Sequence, residues 1–201
     1  MTVPDRLRLP LHFDAAALAA ELHDLPPRVW TPHFNRAIYD GDWSGVALRS
    51  VAGQASQLYP DPTAPDFADT AVLASCPRLS EALAQILCPM TSVRLLALGA
   101  GATIAEHRDF RLGFEDGEVR LHIPILTNAA VEFVLDGRPV VLGPGECWYL
   151  NLNLPHGVAN RSLARRVHLV IDCVVNSWLE VQFETAMHDR LGTRTLPPQH
   201  K

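Results

Sequence analysis

Two histidines and an aspartate stand where one metal ion could be shared. His107 and Asp109 are a single residue apart in HRDFRLG, and His156 lies in NLNLPHG, just after a strand-like run. In an extended strand, residues i and i+2 point to the same face, so His107 and Asp109 can reach one point inside a barrel. Two imidazoles and one carboxylate, with coordination positions left open, suit a non-haem ferrous oxygenase centre. An isolated H-x-D is a common pair, and a buried histidine is often satisfied by hydrogen bonds alone. The metal reading gains weight from Arg166, ten residues after His156 at the start of RVHLVIDCVV. An open ferrous site needs an electron-rich co-substrate, and a dicarboxylate needs a fixed cation at its far end, which a guanidinium supplies as a bidentate fork. Alternation does not say whether Arg165 or Arg166 points inward; Arg165 is the one expected in solvent. Arg120 and His122, on EVRLHIPILT, add a cation and an imidazole that alternate with Leu121, Ile123 and Ile125.

Those groups need a scaffold of short strands, and the second half of the chain supplies it. After Pro89 the runs SVRLLALG, ATIAEHR, EVRLHIPILT, AVEFVLDG, RPVVLG, ECWYLNL and RRVHLVIDCVV are broken by GAG, DFRLGFEDG, TNA, DGR, GPGE and the loop around Pro155. Strands at this spacing, with turn chemistry between them, predict an antiparallel sandwich or small barrel. Ahead of them, Asp14 suits the cap of a helix through AAALAAELHDL, which Pro26 and Pro27 end. Short strands are expected between Trp30 and Ser50, a loop at LYPDPTAPDF and a helix over Ser75–Leu87, with Ser75 or Pro77 at its start. SWLEVQFETAMHDRL reads as a closing helix.

The domain expectation is one unit over 1–201, with a helical or mixed portion (1–89) packed on a β core (90–178) and a C-terminal helix and tail (179–201). At 201 residues, 48% hydrophobic and 19% charged, the composition is that of an ordinary globular chain. A net charge of −5 gives no support to nucleic-acid binding. No apolar run approaches a membrane span, and MTVPDRLRLPLHFD has no signal core. Cys76, Cys88, Cys147 and Cys173 lack C-x-x-C spacing and read as reduced, mostly buried thiols, so a cytoplasmic location is expected.

The order HRD, R-L-H-I-P followed by TN, GECWYLN, LPH, N-R-S and R-V-H-L-V-I-D resembles the aspartyl/asparaginyl β-hydroxylase family, above all its proline cis-hydroxylase-like members. The likeness covers roughly residues 90–178. It implies a mostly β fold, a double-stranded β-helix (cupin-type jelly roll) with flanking N-terminal and C-terminal helices. It also implies Fe(II) and 2-oxoglutarate, with His107, Asp109 and His156 as metal ligands and Arg166 clamping the distal carboxylate of 2-oxoglutarate. Arg120 and His122 fall at the family's R-x-H positions, which contact the co-substrate or a substrate carboxylate. Some members carry glycine where this chain has Asp109, so the full two-histidine, one-carboxylate set moves the likeness away from the peptide-modifying animal enzymes. Asp109 also fills the position that halogenation needs vacant. The implied reaction takes dioxygen and 2-oxoglutarate to succinate and CO2 while hydroxylating a small amino acid or amino-acid-like carboxylic acid. A peptidyl or carrier-bound aspartyl or asparaginyl residue is the alternative substrate. A non-catalytic cupin sensing a metal and a small acid is the alternative of another class, although a sensor has no need of a 2-oxoglutarate clamp.

Overall fold

The computed structural model describes residues 3–59, 61, 63, 64 and 66–192. In chain order its elements are β1 (Arg6–His12), α1 (Ala15–Asp24), β2 (Thr31–Pro32), β3 (Tyr39–Asp40), β4 (Trp43–Val51), β5 (Phe67–Asp69), α2 (Ala71–Ala74) and α3 (Pro77–Leu83). There follow β6 (Met90–Leu98), β7 (Thr103–His107), β8 (Glu118–Leu126), β9 (Val131–Leu135), β10 (Arg138–Val140), β11 (Glu146–Leu150), β12 (His156–Asn160), β13 (Arg166–Val174) and α4 (Ser177–Gly192).

Among the described residues the strands form two antiparallel sheets. The larger runs β1-β11-β8-β13-β6-β4-β2, with β5 on β4, and the smaller runs β10-β9-β12-β7-β3. Leu98, Trp43 and Leu150 of the larger sheet meet Ile104, Phe133, Leu135 and Val158 of the smaller in one apolar cluster, so the sheets face each other as a double-stranded β-helix. The outer face of the larger sheet is a second, larger core. Val93, Leu95 and Ala97 of β6, Leu121, Ile123 and Ile125 of β8, and Val167, Leu169 and Ile171 of β13 are buried there with Leu18, Leu79 and Phe183 of α1, α3 and α4.

That division decides where the polar residues go. With odd positions committed to the helices, the even positions Arg94, Arg120, His122, Arg166, His168 and Asp172 turn to the space between the sheets. All six are buried.

The N-terminal portion is more than a layer packed on the barrel. β1 pairs with β11 and β4 with β6, while β3 joins the smaller sheet beside β7. The strand β1 was not expected from the sequence, yet RLRLPLH alternates: Leu7 and Leu9 are buried and Arg8 is exposed. Pro10 lacks an N–H for a ladder, which fits the edge position that β1 occupies. Asp14 caps α1 as expected, its Oδ1 accepting from the N–H of Ala16 and Ala17 at 3.0 Å. Asn176 does the same for α4, accepting from the Leu179 N–H at 3.0 Å. The helix expected to start at Ser75 or Pro77 starts at Pro77 and is shorter than expected, ending at Leu83. All four cysteines are free and buried, and no helix of the described residues is long and apolar enough to cross a membrane.

Candidate active site

A cavity of about 550 Å³ opens between the sheets, and His107, Asp109, Arg120, His122, His156 and Arg166 all line it. The metal-competent trio comes from the smaller sheet. His156 opens β12 and sits directly opposite His107 at the end of β7, their ring centroids 4.2 Å apart. The sequence reading placed His156 in a loop; it is the first residue of a strand instead. HGVAN carries little strand signal, and Gly157 explains part of that. A Cβ there would lie 3.2 Å from the carbonyl oxygen of Ile104, so glycine lets β12 run close against β7.

Asp109 lies two residues beyond the end of β7, so the strand itself does not carry it. Its N–H donates to the Leu152 carbonyl at 2.9 Å, which holds the chain extended past the strand. One ligand atom from each of His107, Asp109 and His156 can be chosen so that all lie within 4.8 Å of one another. The Nδ1 of His107 lies 2.9 Å from the Ala105 carbonyl, and that of His156 lies 3.1 Å from the Leu154 carbonyl. Each carbonyl can only accept, so the protons sit on Nδ1 and both Nε2 atoms are left as donors to a metal. Burial first, and then the neighbouring His107, lower the pKa of His156 to about 4, keeping it neutral and ligand-competent at pH 7. The donor set and its tautomers fit a ferrous ion.

Behind Asp109 lies a buried charge network. Arg120 Nη1 donates to Asp109 Oδ2, while its Nε and Nη2 fork onto Asp172 at 2.6 and 2.9 Å. Arg94 Nη2 donates to the same Asp172 Oδ2 at 2.7 Å. Burial alone would lower the pKa of Arg120, but Asp172 and Asp109 outweigh it and push it up. Burial alone would raise that of Asp172, but Arg120 and Arg94 hold it below the usual carboxylate range. Arg120, expected to meet a co-substrate or substrate carboxylate, is thus occupied by two carboxylates of its own chain, one of them in the His107–Asp109–His156 cluster.

Arg166 differs. It is 3% exposed, and its Nη2 donates to His168 Nδ1 at 2.7 Å. Its Nε, with the Nε2 atoms of His122 and His168, has no hydrogen-bond partner among the described residues. Burial alone pushes the Arg166 pKa down to about 9, with no carboxylate opposing it, so the group is still a cation at pH 7. Burial, then the charge of Arg166, holds His122 and His168 well below the ordinary histidine range. Arg165 is half-buried, its guanidinium 3.7 Å over the Trp30 ring and its Nη2 donating to Ser44, and not in open solvent.

Three cavity residues were not singled out from the sequence. Arg94 and Asp172 had a signal, since each interrupts an apolar strand at an inward position. His33 had none: it lies flat on Trp43, ring centroids 3.5 Å apart, in a segment of two-residue strands.

The family model for aspartyl/asparaginyl beta-hydroxylase matches residues 16–175 of the chain. The L-proline cis-4-hydroxylase of Rhizobium meliloti (strain 1021) is 31% identical over 167 residues, a match covering 80% of this chain and 57% of that protein's length. A solved oxidoreductase of the 2OG-Fe(II) oxygenase family from Burkholderia pseudomallei shares the fold, with a TM-score of 0.52 at 18% identity over 86% of this chain and 88% of that one.

Proposed function

The chain belongs to the aspartyl/asparaginyl β-hydroxylase family, and from that premise we propose that it is an Fe(II)- and 2-oxoglutarate-dependent dioxygenase that hydroxylates a small free amino acid or a similar carboxylic acid. One observation carries the reading: Arg166, a buried arginine with no carboxylate partner among the described residues, lines the same cavity as a two-histidine, one-carboxylate cluster. An uncompensated buried cation is costly to a fold, and a dicarboxylate co-substrate answers it. The proline hydroxylase relative makes L-proline the first substrate to try.

Within this reading His107, His156 and Asp109 hold the ferrous ion and leave positions free for ligands. Bound with 2-oxoglutarate, that ion supplies dioxygen activation, the step that side chains cannot perform. Arg120 fixes the direction of Asp109. Arg166 takes the distal carboxylate of 2-oxoglutarate by charge-assisted hydrogen bonds and so sets where its keto acid end lies. His122 lines the cavity beside that route. Leu96, Ile104, Phe133 and Val158 make an apolar wall that keeps water from the reacting centre.

Anaerobic addition of Fe(II) and 2-oxoglutarate should give a weak visible charge-transfer band. Aerobic incubation with free amino acids, L-proline first, should release succinate in step with a hydroxylated product. Calorimetry showing no 2-oxoglutarate binding in the presence of metal would sink the oxygenase reading.

A further inference from the structure

The charges inside the cavity do not balance once Asp109 is given to the metal. Three buried arginines remain: Arg166, Arg120 and Arg94. The co-substrate's distal carboxylate answers Arg166. Arg120 and Arg94 then share a single carboxylate, Asp172, which accepts both Arg120 Nε and Nη2 and Arg94 Nη2. Asp172 faces Arg120 directly across the β8–β13 register and gives it both oxygens, so Arg120 is the better satisfied of the two.

Arg94 is the group left short. It is 3% exposed, it lines the cavity, and its Nε has no hydrogen-bond partner among the described residues. Its remaining contact is Nη1 donating to the Leu58 carbonyl at 3.3 Å. Held by a carboxylate on one side and a carbonyl on the other, the guanidinium is fixed in place but still carries excess positive charge into the cavity. Asp61 and Glu118 line the same cavity and bring the opposite sign. Trp43 and His33, stacked as described, add a flat wall. A small molecule with a carboxylate at one end and an ammonium at the other matches this arrangement of charge.

We propose that Arg94 anchors the carboxylate of the molecule being hydroxylated, a free zwitterionic amino acid, and that Asp172 is the positioning residue that holds its guanidinium. This assignment rests on reading the cavity as a 2-oxoglutarate oxygenase site and goes further by naming the contact that selects the substrate class.

The test uses the full-length iron-loaded protein and a panel of free L-amino acids, L-proline among them, each beside its carboxamide. Wild type should prefer acid over amide by about a hundredfold or more, since a site built for a charged group rejects the analogue lacking it. Arg94→Gln should raise KM for the amino acid by roughly a hundredfold and erase the acid-over-amide preference. The KM for 2-oxoglutarate and the anaerobic charge-transfer band should stay as in wild type. Arg94→Lys keeps a cation beside Asp172, and so covers the case in which the glutamine variant does not fold; it should lose about tenfold in amino-acid KM while retaining the preference for acid. Asp172→Asn should move the amino-acid KM in the same direction. The proposal is overturned if Arg94→Gln keeps its preference for acid, if its defect falls on 2-oxoglutarate, or if Arg94→Lys binds the amino acid as well as wild type does. A wild-type band without turnover of any free amino acid overturns this proposal and the free-amino-acid part of the parent reading, while leaving the oxygenase assignment standing. A missing wild-type band removes the parent reading as well.

Discussion

The two ends of the cavity are prepared in opposite ways. At the Asp172 end, Arg120 is answered by both Asp109 and Asp172, and Arg94 shares the same Asp172. At the Arg166 end a guanidinium is just as deeply buried, yet among the described residues no carboxylate opposes it. Burial is the same and the partners differ. Arg120, answered on both sides, serves geometry, whereas Arg166, unanswered, and Arg94, half-answered, wait for a ligand. The contrast has a thermodynamic sign, because removing one member of a satisfied network strands the others, while removing an unanswered charge relieves the fold.

The sharpest break of this contrast is a pair of arginine-to-methionine changes. Arg166→Met should raise KM for 2-oxoglutarate by about a hundredfold, the loss of a buried charge-assisted fork being about 2–5 kcal/mol and each 1.4 kcal/mol a factor of ten. The metal-free variant should nevertheless resist denaturant better than wild type, by about 1–3 kcal/mol. Arg120→Met should do the reverse. It leaves Asp109 unaimed and Asp172 half-answered, so unfolding should come about 3 kcal/mol more easily. Metal affinity, read by calorimetry with Mn(II) in place of iron, should fall by about 10- to 100-fold. Two variants shifting stability in the same direction would erase the distinction between the ends.

A smaller effect comes from the histidines. His122, His156 and His168 are held neutral in the fold by burial, with His156 at about 4 and the other two well below 6.5. The unfolded chain protonates them near 6.5 and therefore binds more protons at acidic pH. Stability of the metal-free protein is thus fully present above about pH 6.5 and is lost as pH falls through the folded values. Between pH 7.5 and 5.5 the free energy of unfolding should drop by about 1 kcal/mol for each of the three. Urea titrations at the two pH values measure it, and His168→Gln should reduce the slope.

Much of the site was legible because its chemistry repeats the periodicity of its strands. Arg120 and His122 could be read as inward-facing from the alternation with Leu121, Ile123 and Ile125, and His107 and Asp109 as neighbours from their spacing, although Asp109 lies past β7 and is held extended by the Leu152 carbonyl. Arg94 and Asp172 obey the same rule, but a single charge inside SVRLLALG or VHLVIDCVV does not reveal its partner. Their pairing exists only across the β6–β13 ladder. The strand β12 was hidden for a different reason. Its fitness lies in Gly157, whose value is a close backbone approach and not any strand preference. The first strand was hidden by Pro10, which weakens a strand pattern yet is tolerated at an edge.

That first strand also carries a consequence for how the chain is made. Arg6 pairs with Leu150, and Leu7 with Tyr149, so the opening residues leave the ribosome long before their partners exist. At about 5–20 residues per second, the wait is on the order of 7–30 s. During it RLRLPLH is an unpaired strand with two leucines that the finished fold conceals. Pro10 interrupts its row of donors, and Arg6 and Arg8 keep it charged, both features that discourage pairing between nascent chains. The strand made first is therefore paired only after its partner near residue 150 has been made.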